Sequence, residues 1–170
     1  VMGRSQYAEG SHPWHRLEVG EIEIDEYNRA VDQMMQSRGF SGFPGLPVDQ
    51  ITKRVFSLRH EMVELLDELR SHDLRTGIVS NNVKAMAAWR TMVDWDSMVD
   101  IVIDSSDVGM RKPDPEIFLH TCERLDVAPE TTVFLDDMAV NIAGAEAVGM
   151  TGVLVEDPEQ AIADVRRLVA

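Results

Sequence analysis

The sequence predicts an α/β fold: a Rossmann-like parallel sheet with its helices over residues 58–170, and a small helical cap over 1–57. Three observations predict it. From about residue 71 the chain alternates short β-branched runs with helical patterns. Those runs are nearly continuous in apolar character, as strands covered on both faces are. And in three stretches, IVSNN (78–82), GMRKPDPEIF (109–118) and VFLDDMAVNIAGAEAVGM (133–150), polar residues follow an apolar run. An open parallel sheet places its chemistry at such strand ends.

The cap comes first in the chain. Glu21–Gln36 has the pattern of an amphipathic helix capped by Asp25, and a second helix is expected over Asp49–Phe56. Between them FSGFPGLP (40–47) is punctuated by Gly and Pro as a turn segment is. EIEID (21–25) alternates, but its charged face and lack of flanking turns argue against a strand. In the core, Met62, Leu65, Leu66 and Leu69 form one stripe of a helix over about 58–71. Strands are expected at TGIVS (76–80), VDIVID (99–104), TTVFLD (131–136) and TGVLVE (151–156). Asp114 and Pro115 make an N-cap and first-turn pair for a helix with Ile117, Phe118, Thr121, Cys122 and Leu125 inward. Asn141–Val148 is rich in Ala and Gly, which permits close packing on the sheet, and Gly149 can close it in a left-handed conformation. Pro158 opens the last helix, with Ile162, Val165, Leu168 and Val169 facing inward. Right-handed βαβ crossovers join these parts.

Composition narrows the partners. Hydrophobic residues make up 44% of the chain, enough for a packed core. Sixteen basic against 30 acidic residues give a net charge of −14, which repels nucleic acid and anionic membranes. No basic patch offsets it, since Lys53, Arg54 and Arg59 are scattered among acids. Cys122 is the sole cysteine, so no intrachain disulfide forms, which fits a reducing cytoplasm. The opening segment has no apolar stretch of signal-peptide or membrane-span length.

Ser80, with Asn81 and Asn82 behind it, offers a hydroxyl and backbone N–H groups where a helix is expected to start, an anion cradle. Taken alone, Ser80 reads better as a helix cap. Lys112, held between turn residues by Pro113, can neutralise a phosphoryl oxygen, although a Lys-Pro pair by itself is usually a solvated turn. Asp136 and Asp137 adjoin at a strand end, where two carboxylates repel unless a cation shares their field. Asn141 adds an oxygen from the next helix, and an oxygen-only set favours Mg²⁺ over zinc. For Asp136 an N-cap is the competing reading. His12 and His15 have no evident third ligand and read as solvated cap residues; Trp14 reads as cap packing or a substrate wall.

These stretches resemble motifs of the haloacid dehalogenase (HAD) superfamily of hydrolases. The resemblance runs over about residues 10–170. It is strongest to the capped branch that includes sugar-phosphate phosphatases and the phosphatase domains of epoxide hydrolases. VSNN resembles the second motif, RKPDPEIF the third, FLDDMAVNIAGAEAVGM the fourth, and PWHRLEVGEIEIDEY the cap's opening segment. The resemblance implies that Ser80 and Asn81 bind phosphate, and that Lys112 stabilises the nucleophile and phosphoryl group. It implies Asp137 as the Mg²⁺ ligand, with Asp136 and Asn141 supporting metal and lysine. The substrate implied is a small phosphorylated metabolite.

One motif departs. Family members begin with a strand ending in Asp-x-Asp, whose first Asp is the nucleophile and second the general acid. Between Val1 and Ser80 nothing takes that place, because Asp25, Asp32, Asp49, Asp67 and Asp73 lie in helical or loop contexts. The expectation is a chain lacking that central strand, which would lie between those ending in Ser80 and Asp136. Such a chain would not turn over phosphate esters, and would fill the gap by strand exchange or association as a homo-oligomer. Two other readings compete. A 2-haloacid dehalogenase uses the same nucleophile without a metal, and so has no use for Asp137. A pseudophosphatase would keep the phosphate pocket as a non-catalytic binding module. A receiver domain is rejected, because its acidic pair comes first in the chain rather than last.

Overall fold

The computed structural model describes residues 12–48 and 58–169, so the helix expected at Asp49–Phe56 lies outside the described residues. The described chain forms two compact units. One comprises residues 12–48 with 81–93 and 104–110; the other comprises 58–80, 94–103 and 111–169.

In the first unit, α1 (Pro13–Glu18) starts with proline at its first turn, and the His12 ring accepts the Trp14 N–H at 3.2 Å. Helix α2 (Ile24–Gln36) is capped by Glu23, not by Asp25 as the sequence suggested. The helix begins one residue before Asp25, which therefore lies in the first turn, where an acid still complements the helix dipole. Trp14, Ile24, Tyr27 and Met86 pack around buried Leu17, Ile22 and Val83, and Trp14 meets Tyr27 edge-on at 5.7 Å. Residues 40–47 form the expected irregular segment, tied to α2 where Asn28 Oδ1 accepts the Leu46 N–H at 3.0 Å.

The second unit holds the strands. Helix α3 (His60–Ser71) precedes β1 (Gly77–Ser80); a short α4 (Trp95–Met98) precedes β2 (Ile101–Asp104), whose last residue belongs to the first unit. The first unit also takes the 3₁₀ helix Lys84–Thr91 and the one-turn α5 (Ser105–Val108). Then come α6 (Pro115–Leu125), β3 (Val133–Asp136), α7 (Ala139–Ala147), β4 (Thr151–Leu154) and α8 (Pro158–Val169).

Strands β3 and β4 pair in parallel, with Val133 opposite Thr151 and Asp136 opposite Leu154. Among the described residues the strands form two separate ladders, β1–β2 and β3–β4. All four strands are four residues long, shorter than their apolar runs. Helix α7 packs on β3, β4 and α6, α8 packs on β3, β4 and α3, and α6 packs on β1. Ile117 and Phe118 of α6 are fully buried, and Phe118 meets Phe134 of β3 edge-on at 5.1 Å. No helix among the described residues is long and apolar enough to cross a membrane.

Helix α7 packs on β3 and β4 as its small residues suggested, and its Gly144 also admits the 112–114 loop. A Cβ at Gly144 would fall on the Pro113 carbonyl oxygen and 3.0 Å from the Phe118 ring.

Candidate active site

Four apolar-to-polar residues of β3 end in Asp136, which is buried, and the chain then turns into α7. Three donors converge on this carboxylate. Lys112 Nζ donates to Oδ2 at 2.7 Å; Asn141 Nδ2 and the Met138 backbone N–H donate to Oδ1 at 2.8 and 2.9 Å. The lysine side chain is itself largely buried, with its ammonium 5.6 Å from the centre of the Phe134 ring. Burial pushes the Asp136 carboxyl up, but the Lys112 ammonium and the two further donors outweigh it. The net effect holds Asp136 below the usual carboxylate range. Asp136 is therefore not the N-cap of α7, a position that Met138 occupies.

Asp137, the next residue, is exposed. The structure thus separates the adjacent acids. Both oxygens of Asp136 are committed to donors, while the Asp137 carboxylate faces solvent. Among the described residues no group of three His, Cys, Asp or Glu side chains could cage a metal. His12 and His15 lie with ring centres 5.9 Å apart on and before α1, and belong to no such group. The donor set still fits Mg²⁺, which commonly takes one or two carboxylates and keeps waters or substrate oxygens for its other positions.

Ser80 is the last residue of β1. It is not a helix cap: residues 81–83 intervene before the 3₁₀ helix at Lys84, whose N-cap is Val83. The helix-start cradle expected at Ser80 is therefore a strand-end loop. Of the predicted site residues, the structure brings Lys112, Asp136 and Asn141 into direct contact, with Asp137 beside them in the chain. Ser80 stands at its own strand end, and Asn81 opens the loop in the first unit.

A second polar cluster was missed. In the first unit Asn82 Nδ2 donates to Asp104 Oδ2 at 2.9 Å, and the Asn82 N–H donates to Ser105 Oγ at 2.9 Å. Asp104 and Ser105 are almost wholly buried. The signal was present in VDIVID followed by two serines: an acid closing an apolar run, the pattern that singled out Asp136.

Comparison with known proteins identifies the family of the chain. The family model described as "haloacid dehalogenase-like hydrolase" matches residues 6–149. The sesquiterpene phosphatase astK of Aspergillus oryzae is 30% identical over 94% of this chain and 80% of its own length. Bifunctional epoxide hydrolase 2 of Rattus norvegicus is 25% identical over 99% of this chain but only 32% of its own. For acyl-CoA dehydrogenase family member 10 of Mus musculus the figures are 29%, 94% and 15%. The chain thus spans only a small part of these two longer relatives. Among solved structures, a HAD-like family hydrolase from Porphyromonas gingivalis superposes with a TM-score of 0.71 at 24% identity, covering 96% of this chain and 81% of that one. A HAD family enzyme from Bacteroides thetaiotaomicron, in complex with magnesium and inorganic phosphate, gives 0.65 at 21% identity, covering 86% and 77%. The chain belongs to the haloacid dehalogenase-like hydrolase family.

Proposed function

We propose that the chain carries the phosphate-handling and metal-handling part of a Mg²⁺-dependent phosphomonoester phosphatase that works through an aspartyl-phosphate. The observation that carries this reading is the Lys112–Asp136–Asn141 cluster beside the exposed Asp137. Asp136 and Asn141 hold the lysine and the start of α7 in place. Lys112, with the Ser80 hydroxyl and the Asn81 amide, would bind the phosphoryl oxygens. Asp137 would hold Mg²⁺, with Asp136 and Asn141 supporting it; the cation would supply charge neutralisation at the phosphoryl group. The relatives called phosphatases support a small phosphorylated substrate. The sole, buried Cys122 suits a reducing compartment such as the cytoplasm. Residues 1–57 are proposed as the cap that selects the substrate, over a core of 58–170.

An aspartyl-phosphate route needs a carboxylate nucleophile. Asp136 cannot serve, because three donors occupy it. Asp137 is committed to the metal in this reading. The purified 170-residue chain with Mg²⁺ is therefore expected to hydrolyse p-nitrophenyl phosphate no faster than the buffer does. Mg²⁺-dependent turnover that disappears in Lys112→Ala would overturn that expectation. Phosphate-dependent thermal stabilisation without turnover, in the protein verified from its native source, would favour the non-catalytic reading. Dehalogenation would need no Mg²⁺, so a chloride-releasing activity indifferent to chelator would reverse the preference for phosphoryl transfer.

The strand ladders bear on assembly. Among the described residues each strand has one ladder partner, so one edge of each has no described strand beside it. The chain is expected to associate with itself in a concentration-dependent way, by strand exchange or edge pairing. Light scattering that gives a monomer mass across the concentration range would count against this.

A further inference from the structure

The buried cluster at the end of β2 is not used by the chemistry above, yet its bonds converge on one loop residue. Ser105 Oγ lies 2.6 Å from the Glu18 carbonyl oxygen and 3.1 Å from that of Asn82, and accepts the Asn82 N–H at 2.9 Å. Asp104 completes the grip. Its Oδ2 takes the Asn82 side-chain amide at 2.9 Å, while its Oδ1 takes the Ser106 N–H and hydroxyl at 3.0 and 2.7 Å. Arg90 Nε lies 3.6 Å from Oδ2, so the buried carboxylate has a cation beside it.

Asn82 is thus held by its N–H and its side chain, while the one hydroxyl proton of Ser105 goes to the nearer Glu18 carbonyl. Its peptide bond to Asn81 is trans, so turning the Asn82 N–H towards Ser105 turns the Asn81 carbonyl the opposite way. The orientation of this peptide decides whether a carbonyl dipole faces, and repels, an anion at the loop. A plain strand-to-helix connection would not need a buried serine spanning three chain segments.

We propose that Ser105 is a positioning residue for phosphate: through Asn82 it fixes the loop in which the Asn81 amide meets a phosphoryl oxygen. The inference rests on the phosphatase reading and names what sets the geometry of its anion loop.

The test is calorimetric titration of the purified chain with inorganic phosphate in excess Mg²⁺. Ser105→Ala leaves the Asn82 N–H without its acceptor, and is expected to weaken phosphate binding about tenfold. Ser106→Ala is the control. It also removes a buried hydroxyl bonded to Asp104, but one with no bond to Asn82. It should lose thermal stability while keeping phosphate affinity within about twofold of the wild type. Should Ser105→Ala fail to fold, Asn82→Ala severs the tie to Asp104 and is expected to weaken binding about fivefold. Wild-type affinity in the folded Ser105 variant (or in Asn82→Ala where that stands in), or equal weakening in Ser106→Ala, overturns the inference alone. No phosphate binding by the wild-type chain, or binding that Lys112→Ala leaves unchanged, overturns the phosphatase reading and this inference with it.

Discussion

Replacing Lys112 with alanine should be among the most costly single changes in the described chain, about 3 kcal/mol at neutral pH. The change strands a buried carboxylate, and breaking a buried ion pair from one side costs more than the pair itself contributes. Asp136 would keep the Asn141 and Met138 donors but lose its cation. The pH dependence gives the effect a signature. In the wild type the folded carboxyl titrates below its unfolded value, so the folded state holds fewer protons. Its contribution is present above the ordinary carboxylate range, about pH 4, and is lost as pH falls through the folded value. In the variant, burial is no longer offset by the ammonium, so the folded value rises relative to the wild type and acid protonates Asp136 in place at less cost. The gap between the two proteins should be widest near neutrality and close towards about pH 4. Denaturant titrations at several pH values would show it; a gap that stays constant or widens in acid would refute the ion-pair account. Pairing the change with Asp136→Asn should recover much of the loss, since no charge is then left buried.

Gly144→Ala is expected to cost a similar amount, about 3 kcal/mol, by overpacking. The added methyl meets a backbone oxygen rather than the end of a flexible side chain, with the Phe118 ring 3.0 Å away on another side. Relief requires α7 to move off the loop carrying Pro113, or the loop to move with Lys112 attached. Asn141 lies on that same helix, so either movement disturbs the donors around Asp136. Thermal unfolding would report the loss, and NMR of the Asn141 side-chain amide would report the disturbance. An unchanged melting temperature would mean that α7 shifts at no cost.

Much of the second unit was legible because its signals are local. Four apolar runs became four strands, Asp114 and Pro115 stand at the N-cap and first turn of α6, and Gly149 follows α7 with a positive φ. Lys112, Asp136 and Asn141 could be singled out because each follows a recognisable strand, turn or helix start. What escaped depends on pairing rather than pattern. The strands end earlier than their apolar runs because a ladder lasts only as long as its partner. Helices α1, α4 and α5, of six, four and four residues, are too short to carry a periodicity. The Asn82–Ser105–Glu18 contact joins residues far apart in the chain, which no window along the sequence can hold. Asp25 was misplaced by two positions, because a cap and a first-turn acid look alike in sequence.

The two ladders have a consequence for how the second unit opens. Strands in one continuous sheet share a hydrogen-bond network, so unzipping any pair exposes its neighbours. Among the described residues β1–β2 and β3–β4 share none, and α6, packed on β1, meets α7, packed on β3 and β4. Helix α7 and the β3–β4 pair form a closed βαβ segment over 133–154, with its contacts near in sequence. Such a segment can act as a foldon, closing early and exchanging its amides slowly while the β1–β2 ladder breathes on its own schedule. Asp136 and Asn141, both inside that segment, would then stay paired through fluctuations that release Ser80, so the carboxylate end of the site would outlast the hydroxyl in any transient opening.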